Sequence, residues 1–152
     1  MEPIQLRKAT AQDVETLVCL LHELFSIEKD FQIDAAKQRK GLEMLLLQQK
    51  ASIFVAVCDN KVIGMVSMQM VISTAEGGLS AWIEDMIITE SYRRKGIGKK
   101  LLAFALQAAA EQGALRALLL TDKNNSQALA YYDNLGWHAT SMIAKKMMLQ
   151  RT

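Results

Sequence analysis

The nine residues Tyr92–Lys100, YRRKGIGKK, hold five of the chain's eighteen basic residues around two glycines one residue apart. Arg93, Arg94, Lys95, Lys99 and Lys100 repel one another. Lys99 and Lys100, set in the first turn of a helix, also face the positive end of its dipole, at a cost of about 0.3–1 kcal/mol per exposed charge. A solvated, solubilising charge run is the plain reading of such a cluster. The setting favours a ligand instead: a loop between a strand and a helix N-terminus presents unpaired backbone N–H groups. A phosphate or pyrophosphate seated there turns repulsion into attraction, with Gly96 and Gly98 letting the backbone come close. Two familiar phosphate loops do not fit. Gly96-Ile97-Gly98-Lys99-Lys100 lacks the Walker spacing and its Ser/Thr, and Leu101 stands where a dinucleotide fingerprint needs a third glycine. Upstream, Glu84 and Asp85 interrupt the apolar run WIEDMI. Buried acids cost desolvation unless they are partnered or put to use. Alternation along a strand places the two on opposite faces, so at most one faces a given cleft.

The elements that must position these groups follow from periodicity. Ile4 to Lys8 reads as a short strand. Thr10, with Asp13 three residues on, caps a helix whose buried face is Val14, Leu17, Val18, Leu21, Leu24 and Phe25. A second helix is predicted from about Asp34 to Gln49. SIFVAVC and KVIGMVSMQMVIS form two strands turning at Asp59–Asn60, and Gly78 opens a further strand, LSAWIEDMIIT. After the basic loop, Lys99 to Gln112 is helical with Leu101, Leu102, Ala105, Leu106 and Ala109 on one face and Gly113 at its end. RALLLT reads as a buried strand. A last helix starts near Asn125 and stops at Gly136, leaving MIAKKMML as a closing strand. The order βααβββαβαβ specifies an α/β (α+β) fold, a mixed, mostly antiparallel central sheet flanked by helices.

With 152 residues, 51% hydrophobic, the chain has the length and core of one domain, 1–152. A net charge of +2 makes the basic cluster local and argues against a nucleic-acid coat; apart from Tyr92 the cluster also lacks interleaved stacking aromatics. MEPIQL carries an acid where a secretory leader would be basic, and no apolar run approaches the roughly 18 residues of a membrane span. The expected location is cytoplasmic, with no membrane partner. Cys19 and Cys58 lie in apolar runs without metal-ligand spacing and read as buried thiols. His22 and His138 have no clustered partners, so no metal site is expected.

Arg93-x-x-Gly96-x-Gly98, preceded by IEDMIITESY and followed by KKLLAFAL, resembles the acetyl-CoA signature of the GCN5-related N-acetyltransferase (GNAT) superfamily. NNSQALAYYDNLGW, Asn124 to Trp137, is similar to that family's second hallmark, and the element order resembles the family's over nearly the whole chain. Arg94 departs from the glycine that many members carry. The resemblance implies acetyl-CoA as cosubstrate and an amine acceptor. It implies that the backbone of Arg93, Arg94, Lys95, Gly96, Ile97, Gly98 and Lys99 holds the pyrophosphate, and that pantetheine lies beside Met86, Ile87 and Ile88. A bulge splays that strand, and an N–H near Ile87 or Ile88 polarises the thioester carbonyl. Asn125 binds the pantetheine arm and Tyr132 protonates the departing thiolate.

An amine protonated at neutral pH needs a base before it can attack. Glu84 is the first candidate, directly or through water, because the Glu-Asp pair resembles that of the family's diamine acetyltransferases; Asp85 is the second. Glu23, Glu28 and Asp30 fall where the family builds its acceptor pocket; they read either as a solvated helix end or as acids that attract a cation. The second reading, with Glu84 or Asp85 entering from the strand, gives a small cationic amine as the expected acceptor. The expected enzyme is an acyltransferase working by direct attack in a ternary complex. The alternative is a non-catalytic acyl-CoA-binding or partner-binding module on the same fold. Apolar residues of the closing strand, placed near a sheet edge, imply a homodimer.

Overall fold

The computed structural model describes residues 2–151. They divide into two compact units, one ending at Leu120 and the other beginning at Thr121. In the first, β1 (Gln5–Lys8), β2 (Ala51–Cys58), β3 (Lys61–Ser73), β4 (Gly78–Ile88) and β5 (Ala114–Leu119) form one sheet in the order β1-β2-β3-β4-β5. The first four strands pair antiparallel; β5 runs parallel to β4. The β2–β3 connection is the two-residue turn expected at Asp59 and Asn60, both with positive φ (50° and 62°), the geometry that matches strand twist.

Alternation along β2 divides the core. Ile53, Val55 and Val57, with Met65 and Ile87, pack against Leu17, Leu21 and Leu24 of α1 (Val14–Ile27) and Leu42 of α2 (Ala35–Leu47). Phe54 points the other way, its ring edge-on to Phe104 of α3 (Ile97–Glu111) with centroids 5.4 Å apart. The sheet thus lies between α1/α2 and α3. Asp34 caps α2 by accepting from the Lys37 N–H at 3.1 Å. Before α1, a short 3₁₀ turn, Ala11–Asp13, takes up the expected cap: Asp13 accepts from the Thr10 N–H at 2.7 Å. Arg7 grips the same carboxylate at 2.8 and 3.1 Å and holds its pKa below the usual range.

The second unit contains α4 (Ser126–Asn134), N-capped by Asn125 and followed by Gly136 at φ 93°. Past Trp137 no regular structure forms as far as residue 151.

Three expectations are corrected. The closing strand over Met142–Leu149 is absent: no other strand lies among the described residues of its unit to supply a ladder, and Met142, Ile143, Met147, Met148 and Leu149 are 79–87% exposed. The strand β5 is an edge rather than a buried strand, with Leu115 64% exposed. Cys58 is buried as expected, but Cys19 is exposed, because it falls just off the stripe set by Leu17, Val18, Leu20 and Leu21.

Candidate functional site

Arg94 and Gly96 both adopt left-handed backbone, φ 61° and 77°, between the end of β4 and the start of α3. This alternation turns successive N–H groups toward one concavity, an anion-binding nest. The Arg93 N–H is already donated to the Glu90 carbonyl at 3.2 Å, and the first intrahelical bond of α3 runs from the Lys100 N–H to the Gly96 carbonyl at 3.2 Å. Between them, the N–H groups of Arg94, Lys95, Gly96, Ile97, Gly98 and Lys99 have no protein acceptor among the described residues. Nor do Arg94, Lys99 and Lys100 have a carboxylate partner there, while the Lys95 ammonium lies 5.2 Å from the Tyr92 ring centroid. Six unpaired donors and three unpaired cations around a helix N-terminus can hold a multiply charged anion. Gly96 is favoured by its positive φ, which a side chain would strain. Gly98 lies inside the first turn of α3 without positive φ, so its conformation does not demand glycine, and glycine there costs about 1 kcal/mol relative to alanine.

The loop is anchored from α1. The Glu23 carboxylate accepts from Arg93 Nη2 at 2.7 Å, from the Glu90 N–H at 2.8 Å and from the Thr89 hydroxyl at 2.9 Å. Arg93 Nε donates to the Ile88 carbonyl at 2.7 Å. The Arg93 side chain therefore braces the loop; of the basic residues expected to serve a ligand, it is the one engaged with the protein at both ends of its fork.

Immediately before the loop, β4 is irregular on both sides. Toward β3 the register steps from Met65↔Ile87 to Ser67↔Glu84, so β4 carries an extra residue and Asp85 bulges out with φ 52°. Toward β5 the ladder ends at Ile83↔Leu119. Beyond that point, Glu84 to Ile88 have no strand on the β5 side among the described residues, leaving an open edge that includes Met86, Ile87 and Ile88. An extended ligand can lie along such an edge. The bulge also separates the two acids. Glu84 is exposed and accepts from the Trp82 indole N–H. Asp85 is recessed, with the Ser67 hydroxyl donating to it at 3.2 Å. Burial, with the nearby Glu84 charge adding to it, pushes the Asp85 pKa to about 6.

In the second unit Asn125 Oδ1 accepts from the Ala128 N–H at 3.0 Å, so its carbonyl caps α4. Tyr132 stacks edge-on with Tyr131 and Trp137, centroids 5.2 and 6.1 Å away.

Sequence reasoning missed Gly64, Ser67 and the pairing of Glu23 with Arg93. A Cβ on Gly64 would collide with the Ile88 side chain and sit 3.0 Å from the Ile87 carbonyl oxygen. The signal was a glycine inside a strand. Ser67 gave no signal beyond a polar residue among methionines. The Glu23–Arg93 pairing gave no local signal, because the two residues lie 70 positions apart.

A model of the acetyltransferase (GNAT) family matches residues 18–137. The aminoalkylphosphonate N-acetyltransferase of Salmonella typhimurium is 28% identical over 137 residues, covering 90% of this chain and 86% of that protein. The crystal structure of a possible acetyltransferase from Clostridium difficile 630 superposes with a TM-score of 0.87 at 23% identity, covering 99% and 100% of the two chains. A predicted acetyltransferase from Clostridium acetobutylicum, solved with acetyl-CoA, gives 0.78 at 17% identity, covering 95% and 96%.

Proposed function

The chain belongs to the acetyltransferase (GNAT) family and is an acyltransferase, and we propose that it moves acetyl from acetyl-CoA to a small amine by direct attack in a ternary complex. The observation that carries the reading is the run of six unpaired N–H groups, Arg94 to Lys99, next to the open edge of β4. The pyrophosphate takes the loop and pantetheine takes the edge at Met86–Ile88. An N–H at Ile87 or Ile88 stabilises the oxyanion that forms when the amine nitrogen attacks the thioester carbonyl carbon. As the C–S bond breaks, the Tyr132 hydroxyl gives its proton to the thiolate, and the NH2 group of Asn125 serves the pantetheine arm. These two roles enter from the family motif. The family match over residues 18–137 includes residues of both compact units, and a single catalytic domain is part of the proposal.

The amine's proton goes to a carboxylate. Asp85 is favoured over Glu84 because it is recessed and its pKa, raised to about 6, makes it a better base than an ordinary aspartate while leaving it ionised at neutral pH. Glu28, Asp30 and Glu84 favour a cationic acceptor, with Glu23 now withdrawn into its ion pair with Arg93. That withdrawal and the Salmonella relative's name favour a second reading, an amine that also carries a phosphonate. A thiol-release assay with diamines, basic amino-acid derivatives and aminoalkylphosphonates separates the two. Turnover confined to the diamines and basic derivatives, falling as salt rises, supports the first; turnover confined to the phosphonates supports the second.

No helix among the described residues is long and apolar enough to cross a membrane, and a cytoplasmic location is part of the proposal. So is a homodimer, which would cover the exposed Met142–Leu149 side chains. Light scattering at micromolar concentration should give about 34 kDa, twice the 16.9 kDa chain; a mass of one chain rejects it.

A further inference from the structure

We infer that Glu23 is a positioning residue for the cofactor's pyrophosphate, acting through Arg93 and the Thr89–Glu90 turn. The inference rests on the proposal that residues 93–99 bind that pyrophosphate. Glu23 takes three donors from a five-residue span of chain: the Thr89 hydroxyl, the Glu90 N–H and Arg93 Nη2. The second arm of the Arg93 fork reaches the Ile88 carbonyl, the last residue of β4. One carboxylate on α1 therefore fixes the strand's end, the turn after it and the residue that starts the nest.

Electrostatics point the same way. Of the five cations in the loop region, Glu23 neutralises the one whose side chain is folded inward. Arg94, Lys99 and Lys100 remain outward and available. Without Glu23, Arg93 would be released to repel Arg94 and Lys95, and the left-handed backbone at Arg94, a strained conformation for a residue with a Cβ, would lose its brace. The donors of the nest would then have to be ordered by the ligand itself, which lowers affinity for the pyrophosphate and leaves untouched any contact made only with the thioester end.

The test compares acetyl-CoA with S-acetylpantetheine, a thioester donor that lacks the pyrophosphate. The readout is the ratio of kcat/KM for the two donors, in which any loss of folded protein cancels. Glu23→Gln should lower the ratio about tenfold, through KM for acetyl-CoA, with kcat at saturating acetyl-CoA within about twofold of the parent. Thr89→Val, which removes one of the three donors, should lower it by a smaller factor. Gly98→Val serves as the control for the loop. If Gly98→Val lowers the ratio and Glu23→Gln does not, Glu23 is no positioning residue and the inference is overturned. If Gly98→Val leaves the ratio unchanged, the loop assignment itself fails and the inference falls with it.

Discussion

Replacing Asp85 by Asn should stabilise the protein and cripple it at once. The carboxyl sits in the β4 bulge with a native pKa of about 6 against an ordinary 3.8. Between those values the folded state binds more protons than the unfolded chain, so stability falls as pH rises from about 4 and the loss is complete above about 6. The difference of about two pKa units corresponds to about 3 kcal/mol at pH 8, about half that at pH 5, and almost nothing below pH 4. Asn keeps an acceptor for the Ser67 hydroxyl and tolerates the left-handed backbone at φ 52° as Asp does. Urea unfolding of both proteins from pH 4 to pH 8 should therefore show a gap that opens with pH in favour of Asp85→Asn. The same substitution should cost about 10²-fold or more in kcat, and the inflection near pH 6 in the parent's kcat/KM profile should vanish. A stability gap that is flat with pH would refute the burial argument. A kcat within threefold of the parent would remove Asp85 as the base.

Tyr132→Phe should lower kcat by about 10²-fold with acetyl-CoA affinity unchanged, read by steady-state kinetics and calorimetry; survival within threefold assigns the thiolate's proton to another donor. Gly64→Ala should destabilise by about 1–3 kcal/mol in urea, because its Cβ must displace the Ile88 side chain and the Ile87 carbonyl; an unchanged midpoint would show that this close approach is not needed.

How far the sequence reached depended on the range of the interaction involved. Periodicity and turn chemistry are local, so the α1 face, the Asp59–Asn60 turn and the Gly96–Gly98 loop were legible from a few residues each. Glu23 was not, because the acid and the arginine it grips are 70 residues apart and either sign of partner suits a helix surface. The Asp85 bulge was legible only through the family pattern. Alternation separated the two acids onto opposite faces, but an extra residue in β4 left Glu84 exposed and recessed Asp85, and no local rule fixes which residue a bulge takes. The closing strand failed for a related reason. MIAKKMML has strand composition, yet a strand exists only with a partner, and composition does not supply one.

The central claim, that acetyl-CoA is held by the backbone of residues 94–99, is tested most directly by calorimetry of acetyl-CoA binding to the parent and to Gly98→Val. The branched side chain stands in the first turn of α3, where the proposed pyrophosphate must approach within hydrogen-bond distance of the N–H groups. The expected result is at least a tenfold rise in Kd, on the order of 1.4 kcal/mol, with an unchanged far-ultraviolet circular dichroism spectrum. An unchanged Kd in a folded variant would contradict it.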